Sequence, residues 1–187
     1  MPSALIFIAD GTEEMEFTIT YDTLVRAGIK CTSAFVGEAT SKFATCSRGV
    51  KIVPDASLEE IHEDHDILIV PGGAKGADTI SKSTRVQELL KKQHDKGKFV
   101  GMICAGGLAA KTSAFPKLSL TSHPSVKGEL ETEFDYKEDA VVVNSGLITS
   151  RGPGTTFPFA LKIVELLCGK EKRNEVQGPM VFPPGSI

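Results

Sequence analysis

The sequence predicts an α/β fold built on a mostly parallel sheet with helices on both faces, and three observations carry this. Strand-length, largely apolar runs recur at Ala4 to Ile8, Asp66 to Val70 and Phe99 to Ile103. Such runs suit strands that are buried on both faces. Stretches with helical spacing alternate with them, the order expected of parallel strands joined by crossover helices. The chain of 187 residues has no internal repeat, low-complexity stretch or linker, so residues 1–187 read as one domain.

The elements follow in order. Ala4 to Ile8 is the first strand and ends in Asp10-Gly11. Met15 to Ala27 has helical spacing, with Met15, Ile19, Leu24 and Ala27 apolar, and Gly28 stands where a helix C-cap belongs. Cys31 to Phe35 is a second strand, and Val50 to Val53 is a short third, closed by Pro54. Ser57-Leu58-Glu59-Glu60 has capping-box form and begins a short helix. Asp66 to Val70 is the next strand and stops at Pro71-Gly72-Gly73; Val86 to Lys96 is helical, and Gly97 ends it. Phe99 to Ile103 is a further strand, Cys104 follows at once, and Ala105 to Thr112 reads as helix. Leu118 to Leu120 is a short strand that would carry His123 to the sheet's carboxyl edge. Ala140 to Val143 and Leu147 to Thr149 form a hairpin around Asn144-Ser145-Gly146. Phe157 to Leu167 is a closing helix, and Lys170 to Arg173 reads as a solvated helix end.

Composition narrows the function. Hydrophobic residues make up 41% and the formal net charge is -3, with no Lys/Arg cluster that resembles a docking surface. This argues against nucleic acid and anionic membrane as partners, since both need a basic face. No apolar stretch reaches bilayer-spanning length, and the N-terminus lacks the basic region of a signal peptide. The cysteines at 31, 46, 104 and 168 show no CxxC or Cys/His metal spacing, so no metal site is expected. Reduced thiols and a cytoplasmic location follow as expectations, with nuclear or mitochondrial pools compatible. His62, His65 and His94 lie in polar stretches and are expected at the surface.

Four features could do chemistry. Cys104 sits directly after a strand and directly before a helix, at the sheet edge where open α/β folds place their sites. The helix N-terminus would stabilise a thiolate, and the arrangement is similar to a nucleophile elbow with Cys for Ser. A buried structural cysteine is the alternative. Pro71-Gly72-Gly73 ends another central strand and could turn backbone N–H groups toward a substrate oxygen, forming an oxyanion site with Ala105; an ordinary strand-ending turn is the alternative. Among Glu13, Glu14 and Glu16, one carboxyl could turn inward beside the thiol, where burial and like charge would keep it protonated; acids on a solvated first helical turn are the alternative. His123, in Thr121-Ser122-His123-Pro124, is a candidate imidazole.

Together these motifs resemble the Parkinson disease protein 7 branch of the PfpI-like superfamily. The matching segments are Gly11-Thr12-Glu13-Glu14-Met15-Glu16, Cys46-Ser47-Arg48, Pro54-Asp55-Ala56-Ser57-Leu58-Glu59, Leu68-Ile69-Val70-Pro71-Gly72-Gly73, Ile103-Cys104-Ala105-Gly106, Thr121-Ser122-His123-Pro124 and Thr149-Ser150-Arg151-Gly152-Pro153-Gly154-Thr155. The resemblance implies a flavodoxin-like three-layer sandwich and a homodimer that joins through the first helix, around Met15, and the segment near Arg48. It implies Cys104 as nucleophile, Glu16 as protonated partner, His123 as imidazole, oxyanion donors at Gly73 and Ala105 beside Gly72, and Arg48 and Arg151 as anion-pocket residues. It also implies that a carbonyl of the partner's C-terminal segment holds the histidine, Pro179 being the matching position. Gly107 departs from the proline often found in relatives, Val53 stands where some relatives carry cysteine, and the sequence diverges after Val176.

The implied activity is a glyoxalase that needs no cofactor, metal or glutathione, acting on methylglyoxal and glyoxal through the Cys104 thiolate, with a deglycase action on early glycation adducts. The alternative is a redox sensor or chaperone in which Cys104 oxidises to sulfinic acid, Cys46 being a secondary target. A Cys-His-acid peptidase is disfavoured, because Pro124 and not an acid follows His123.

Overall fold

The computed structural model of the protein describes residues 1–38 and 42–187. Strand β1 (Ser3–Ile8) is buried from Ala4 onward and leads to helix α1 (Glu14–Arg26) and strand β2 (Lys30–Phe35). Two short strands, β3 (Ala44–Thr45) and β4 (Lys51–Ile52), then pair antiparallel with each other, apart from the main sheet. The run expected at Val50 to Val53 therefore does not join the core. It folds back as a small hairpin, where the Lys51 ammonium lies 4.7 Å from the Phe43 ring centre. Strand β5 (Ala56–Ser57), absent from the sequence reading, pairs with β2 instead. The Ser57 N–H and hydroxyl both donate to Glu60 Oε2, at 2.7 and 2.8 Å, and close the following 3₁₀ turn.

Strand β6 (Ile67–Val70) is buried throughout and is followed by helices α2 (Ala74–Lys82) and α3 (Thr84–Asp95), then by β7 (Phe99–Ile103). A 3₁₀ turn over Cys104–Gly107 leads to α4 (Leu108–Thr112). Strand β8 (Ser119–Leu120) pairs with β9 (Asp135–Tyr136) across α5 (Lys127–Leu130), in a separate two-stranded sheet. Leu118 to Leu120 thus does not extend the main sheet. The hairpin of β10 (Val141–Asn144) and β11 (Leu147–Ser150) completes the main sheet, and α6 (Thr156–Cys168) and α7 (Lys170–Gln177) close the chain. Lys170 to Arg173 forms the solvated first turn of α7.

The main sheet runs β10-β11-β7-β6-β1-β2-β5, parallel except for the β10–β11 pair. Helices α1, α6 and α7 pack together, and α2 packs with α3 and α4. The unbroken burial of β1, β6 and β11 reflects cover on both faces. The chain leaves β1 outward to β2 and β5, then returns to the other side of β1 as β6 and β7. That reversal is the topological switch where doubly wound folds bind ligands. It sets the ends of β7, β6 and β1 side by side, bringing Cys104, Gly72-Gly73 and the start of α1 together.

Two histidines depart from expectation. His65 is buried, and its carbonyl accepts from Gln93 Nε2 at 3.1 Å and Lys98 Nζ at 3.0 Å, which ties the loop before β6 to α3 and β7. His94 packs its ring on Phe115 with centroids 4.6 Å apart. Among the described residues no helix is long and apolar enough to cross a membrane.

Candidate active site

Cys104 takes φ +61 at the end of β7, a left-handed conformation that costs a non-glycine residue about 1 to 3 kcal/mol. The surrounding packing enforces it. Gly106 lies so close under β6 that a Cβ would stand 2.5 Å from the Val70 carbonyl oxygen. The kink turns the sulfur back over the sheet edge, where the N–H groups of Ala105 and Gly73 favour its charged form. Gly73 reaches that position with φ +85, and a Cβ there would stand 2.2 Å from the Gly11 carbonyl oxygen. Gly72 is a wedge between two reactive groups: its Cβ would lie 2.6 Å from both Cys104 Cβ and Glu16 Oε2, and 2.9 Å from the sulfur.

Glu16 turns inward from the first turn of α1 and is fully buried. Its Oε2 accepts the Gly72 N–H at 2.7 Å, while Oε1 is buried with no hydrogen bond of normal geometry. The carboxyl and the Cys104 thiol interact directly. Burial pushes the Glu16 carboxyl up to about 7, and the Glu13 charge adds to this, against the Cys104 and Gly72 contacts that favour the ionised form. Burial, the Glu16 charge and the Glu16 contact push the Cys104 thiol up to about 12, against the Ala105 and Gly73 N–H groups.

The Ala105 N–H at the turn favours the thiolate as expected, but burial and Glu16 outweigh it. The turn behind Cys104 is 3₁₀, and α4 has only 5 residues, so its dipole is weak and burial outweighs it. Both groups are pushed toward their protonated forms, and they titrate as a coupled pair. A second negative charge in this buried site is opposed by both desolvation and repulsion. In the form with the proton on Glu16, the sulfur carries the charge and faces two N–H donors and a carboxylic acid.

The other residues singled out by sequence are less central. His123 lies on the loop after β8, its Nδ1 2.8 Å from Ser125 Oγ and accepting the Ser125 N–H at 3.2 Å. That acceptance leaves the ring hydrogen of the neutral form on Nε2. The loop packs against the Cys104 turn, where a Cβ on Gly107 would stand 3.2 Å from Ser122 Cβ, but the His123 hydrogen bonds go to Ser125 and not to Cys104. Arg151 is engaged by Glu138, with Nη1 2.7 Å from Oε2 and 2.8 Å from the carbonyl. The Arg48 guanidinium is exposed and touches the Ser47 carbonyl at 3.3 Å, while its main-chain N–H donates to Glu14 Oε1 at 2.7 Å. Neither arginine is bonded to the thiol or to Glu16.

Cys46 is buried, and burial, followed by the charges of Glu14, Glu13 and Asp10, pushes its thiol up to about 11. The sequence reading missed Ser125, Glu138 and the separate work of Glu13 and Glu14. The Glu13-to-Glu16 spacing was the one signal that pointed to the first turn of α1.

Away from the thiol, Phe17, Tyr21, Val25, Ile52 and Val53 line a groove of about 530 Å³ between α1 and the β3–β4 hairpin. Met15, Val25, Val50 and Val53 are exposed around it, Val53 at 72%. Among the described residues no group of three or more His, Cys, Asp or Glu side chains is placed to hold a metal ion.

Known proteins resemble the chain along nearly its whole length. The sequence profile of the DJ-1/PfpI family matches residues 2–166. A Schizosaccharomyces pombe protein named glutathione-independent glyoxalase DJ-1 is 40% identical over 191 residues, covering 98% of this chain and 100% of that protein. The Parkinson disease protein 7 homolog of Danio rerio is 41% identical over 185 residues, covering 96% of each. The solved structure of Schizosaccharomyces pombe DJ-1 superposes with a TM-score of 0.92 at 40% identity, covering 97% of this chain and 100% of that one. With a thiol on a strained turn, a buried glutamate beside it and relatives that share the sequence along nearly its whole length, the chain belongs to the DJ-1/PfpI family.

Proposed function

We propose that the protein is a glutathione-independent glyoxalase that converts methylglyoxal to lactate and glyoxal to glycolate. The observation that carries this reading is the Cys104–Glu16 pair, a sulfur with two N–H donors beside a buried carboxyl that keeps its proton up to about 7. Relatives named glutathione-independent glyoxalase, from Schizosaccharomyces pombe and from Caenorhabditis elegans, support it.

The Cys104 thiolate attacks the aldehyde carbon, forming the C–S bond while the carbonyl electron pair moves to oxygen. The N–H groups of Gly73 and Ala105 face the charge that leaves the sulfur, and Glu16 gives its proton to the new oxyanion. The Glu16 carboxylate then takes the proton from that carbon, giving an enediolate, and returns it to the neighbouring carbon, while the hydroxyl proton passes to the neighbouring oxygen as the carbonyl re-forms beside sulfur. The product is a thioester of the 2-hydroxy acid. Water hydrolyses it, releasing the acid and restoring the thiolate and the protonated carboxyl. His123, with its hydrogen on Nε2, assists the water step. The deglycase reading uses the same first adduct on early glycation products.

A second reading, oxidation of Cys104 to a sulfinate, is favoured by one observation. Glu16 Oε1 is buried without a partner and, when protonated, can donate to a sulfinate oxygen. The exposed apolar residues around the α1 groove support a homodimer joined through that face, in line with the burial such side chains require. The experiment for the main reading is lactate formation from methylglyoxal by the purified protein without glutathione. The account expects turnover by wild type and none by Cys104→Ser. Absence of lactate from wild type refutes the enzyme reading, and activity that survives in Cys104→Ser refutes the site.

A further inference from the structure

Glu13 caps α1, and it does so from inside the protein. Only 8% of it is exposed, and its Oε2 accepts the Glu16 main-chain N–H at 2.8 Å. Its own N–H donates to the Gly72 carbonyl at 2.9 Å. The Gly72 N–H in turn donates to Glu16 Oε2 at 2.7 Å. Glu13, Gly72 and Glu16 thus close a ring of three hydrogen bonds, and the third side of Gly72 is Cys104. A surface N-cap needs none of this; serine, threonine, asparagine or aspartate would cap as well. A buried glutamate here sets a negative charge in the same hydrogen-bonded ring as the Glu16 carboxyl.

The groups that act on the Glu16 carboxyl are Cys104 from the β7 turn, the Gly72 N–H from the β6 turn and Glu13 from α1 itself. Glu14 is turned elsewhere, accepting from the Ser47 hydroxyl and the Arg48 N–H, both at 2.7 Å. Among the described residues no basic side chain is a named influence on the Glu16 carboxyl. The Glu13 charge raises the Glu16 carboxyl, and the largest charge acting on the sulfur is that of Glu16.

We propose that Glu13 is a positioning residue of this site: bonded to the Glu16 main chain and linked through Gly72 to its carboxyl, its charge favours the form with the proton on Glu16 and the negative charge on the Cys104 sulfur. The proposal rests on the reading of Cys104 and Glu16 as a proton-sharing pair and extends it to a residue that biases which partner keeps the proton.

The test is the pH–rate profile of Cys104 alkylation by iodoacetamide, followed by mass, which needs no turnover. Wild type is compared with Glu13→Gln, Glu13→Asp and Glu16→Gln, with thermal melts alongside. Gln keeps an oxygen to cap the helix but loses the charge; Asp keeps both. Glu13→Gln is expected to shift the alkylation midpoint to lower pH by roughly half to one unit, and to lower the plateau rate roughly three- to ten-fold. Glu13→Asp restores both. A merely structural role would move the melting temperature and leave the midpoint in place. A Glu13→Gln profile that overlies wild type, while Glu16→Gln changes it, overturns the Glu13 proposal and leaves the pair intact. A profile insensitive to Glu16→Gln overturns the pair itself, and the proposal with it.

Discussion

Cys104 and Cys46 make an instructive pair. Both are buried, both lie near glutamates of the α1 N-terminus, and burial is the largest influence on each, raising the thiols to about 12 and about 11. Around Cys46 every charge that matters is negative, from Glu14, Glu13 and Asp10, and nothing favours the thiolate. Around Cys104 two backbone N–H groups favour it, and the adjacent carboxyl is raised toward its protonated form. The difference teaches that a buried thiol becomes a nucleophile through a nearby place for its proton and fixed donors for its charge. A low thiol value in isolation is not required. Glu14 makes the same point from the acid side: burial raises it, but hydrogen bonds from the Ser47 hydroxyl and nearby backbone N–H groups outweigh this and hold it below the usual carboxylate range. It shares a helical turn with Glu16 and cannot play the same part.

The comparison can be broken most sharply by exchanging the cysteines for serine. Cys104→Ser should lower glyoxalase kcat/KM by at least about 10³-fold, as loss of a nucleophile does, whereas Cys46→Ser should stay within about two-fold in the same lactate assay. Glu16→Gln should cost roughly 10² to 10⁴-fold, the range for a lost acid–base group, with the loss in kcat rather than KM. Steady-state kinetics on both variants check this.

The pH dependence of stability sharpens the contrast between Glu16 and Glu14. Glu16 is raised in the folded protein from its ordinary 4.5 to about 7. Its contribution is fully present below about 4.5 and is lost as pH rises through about 7, since the folded state binds more protons across that window. Denaturant melts should show wild type losing stability relative to Glu16→Gln between those values, on the order of 2 to 3 kcal/mol. The lowered Glu14 works with the opposite sign, its contribution being lost as pH falls toward the acid range. A smaller effect is expected at the wedge: Gly72→Ala inserts a methyl group into the Cys104–Glu16 contact, and overpacking of this kind costs about 1 to 3 kcal/mol. Activity should fall more than stability, because the methyl separates the two reactive groups.

Much of this arrangement was readable from the chain. The runs at β1, β6 and β7 are continuous and apolar, which fixed the core of the sheet, and Cys104 and Gly72-Gly73 fall at the ends of two of them. Helix α2 was not readable. It contains Gly76, a poor helix former, and begins without a side-chain cap. The glycine is there because a Cβ would stand 2.5 Å from the Thr12 N, a tertiary constraint invisible to local pattern. Helix α7 was missed because only Val176 of its polar sequence is buried. Strand β8 was assigned to the main sheet because a two-residue strand carries no sign of its partner. At the site, Glu16 emerged from the Glu13-to-Glu16 spacing and the family resemblance. The engagement of Arg151 by Glu138 is a contact between residues 13 apart that no motif announces. The direction of the Cys104 shift also escaped, because it depends on burial and on Glu16, both set by the fold.

The most direct test of the central claim is native mass spectrometry of Glu16→Gln mixed with methylglyoxal, run beside the Cys104→Ser/Glu16→Gln double variant. Without Glu16 the thiol loses its proton to solvent and attacks more slowly, and the adduct then accumulates because nothing moves its C–H proton. The account predicts one methylglyoxal mass added to Glu16→Gln and absent from the double variant. An adduct that persists when Cys104 is removed would contradict it.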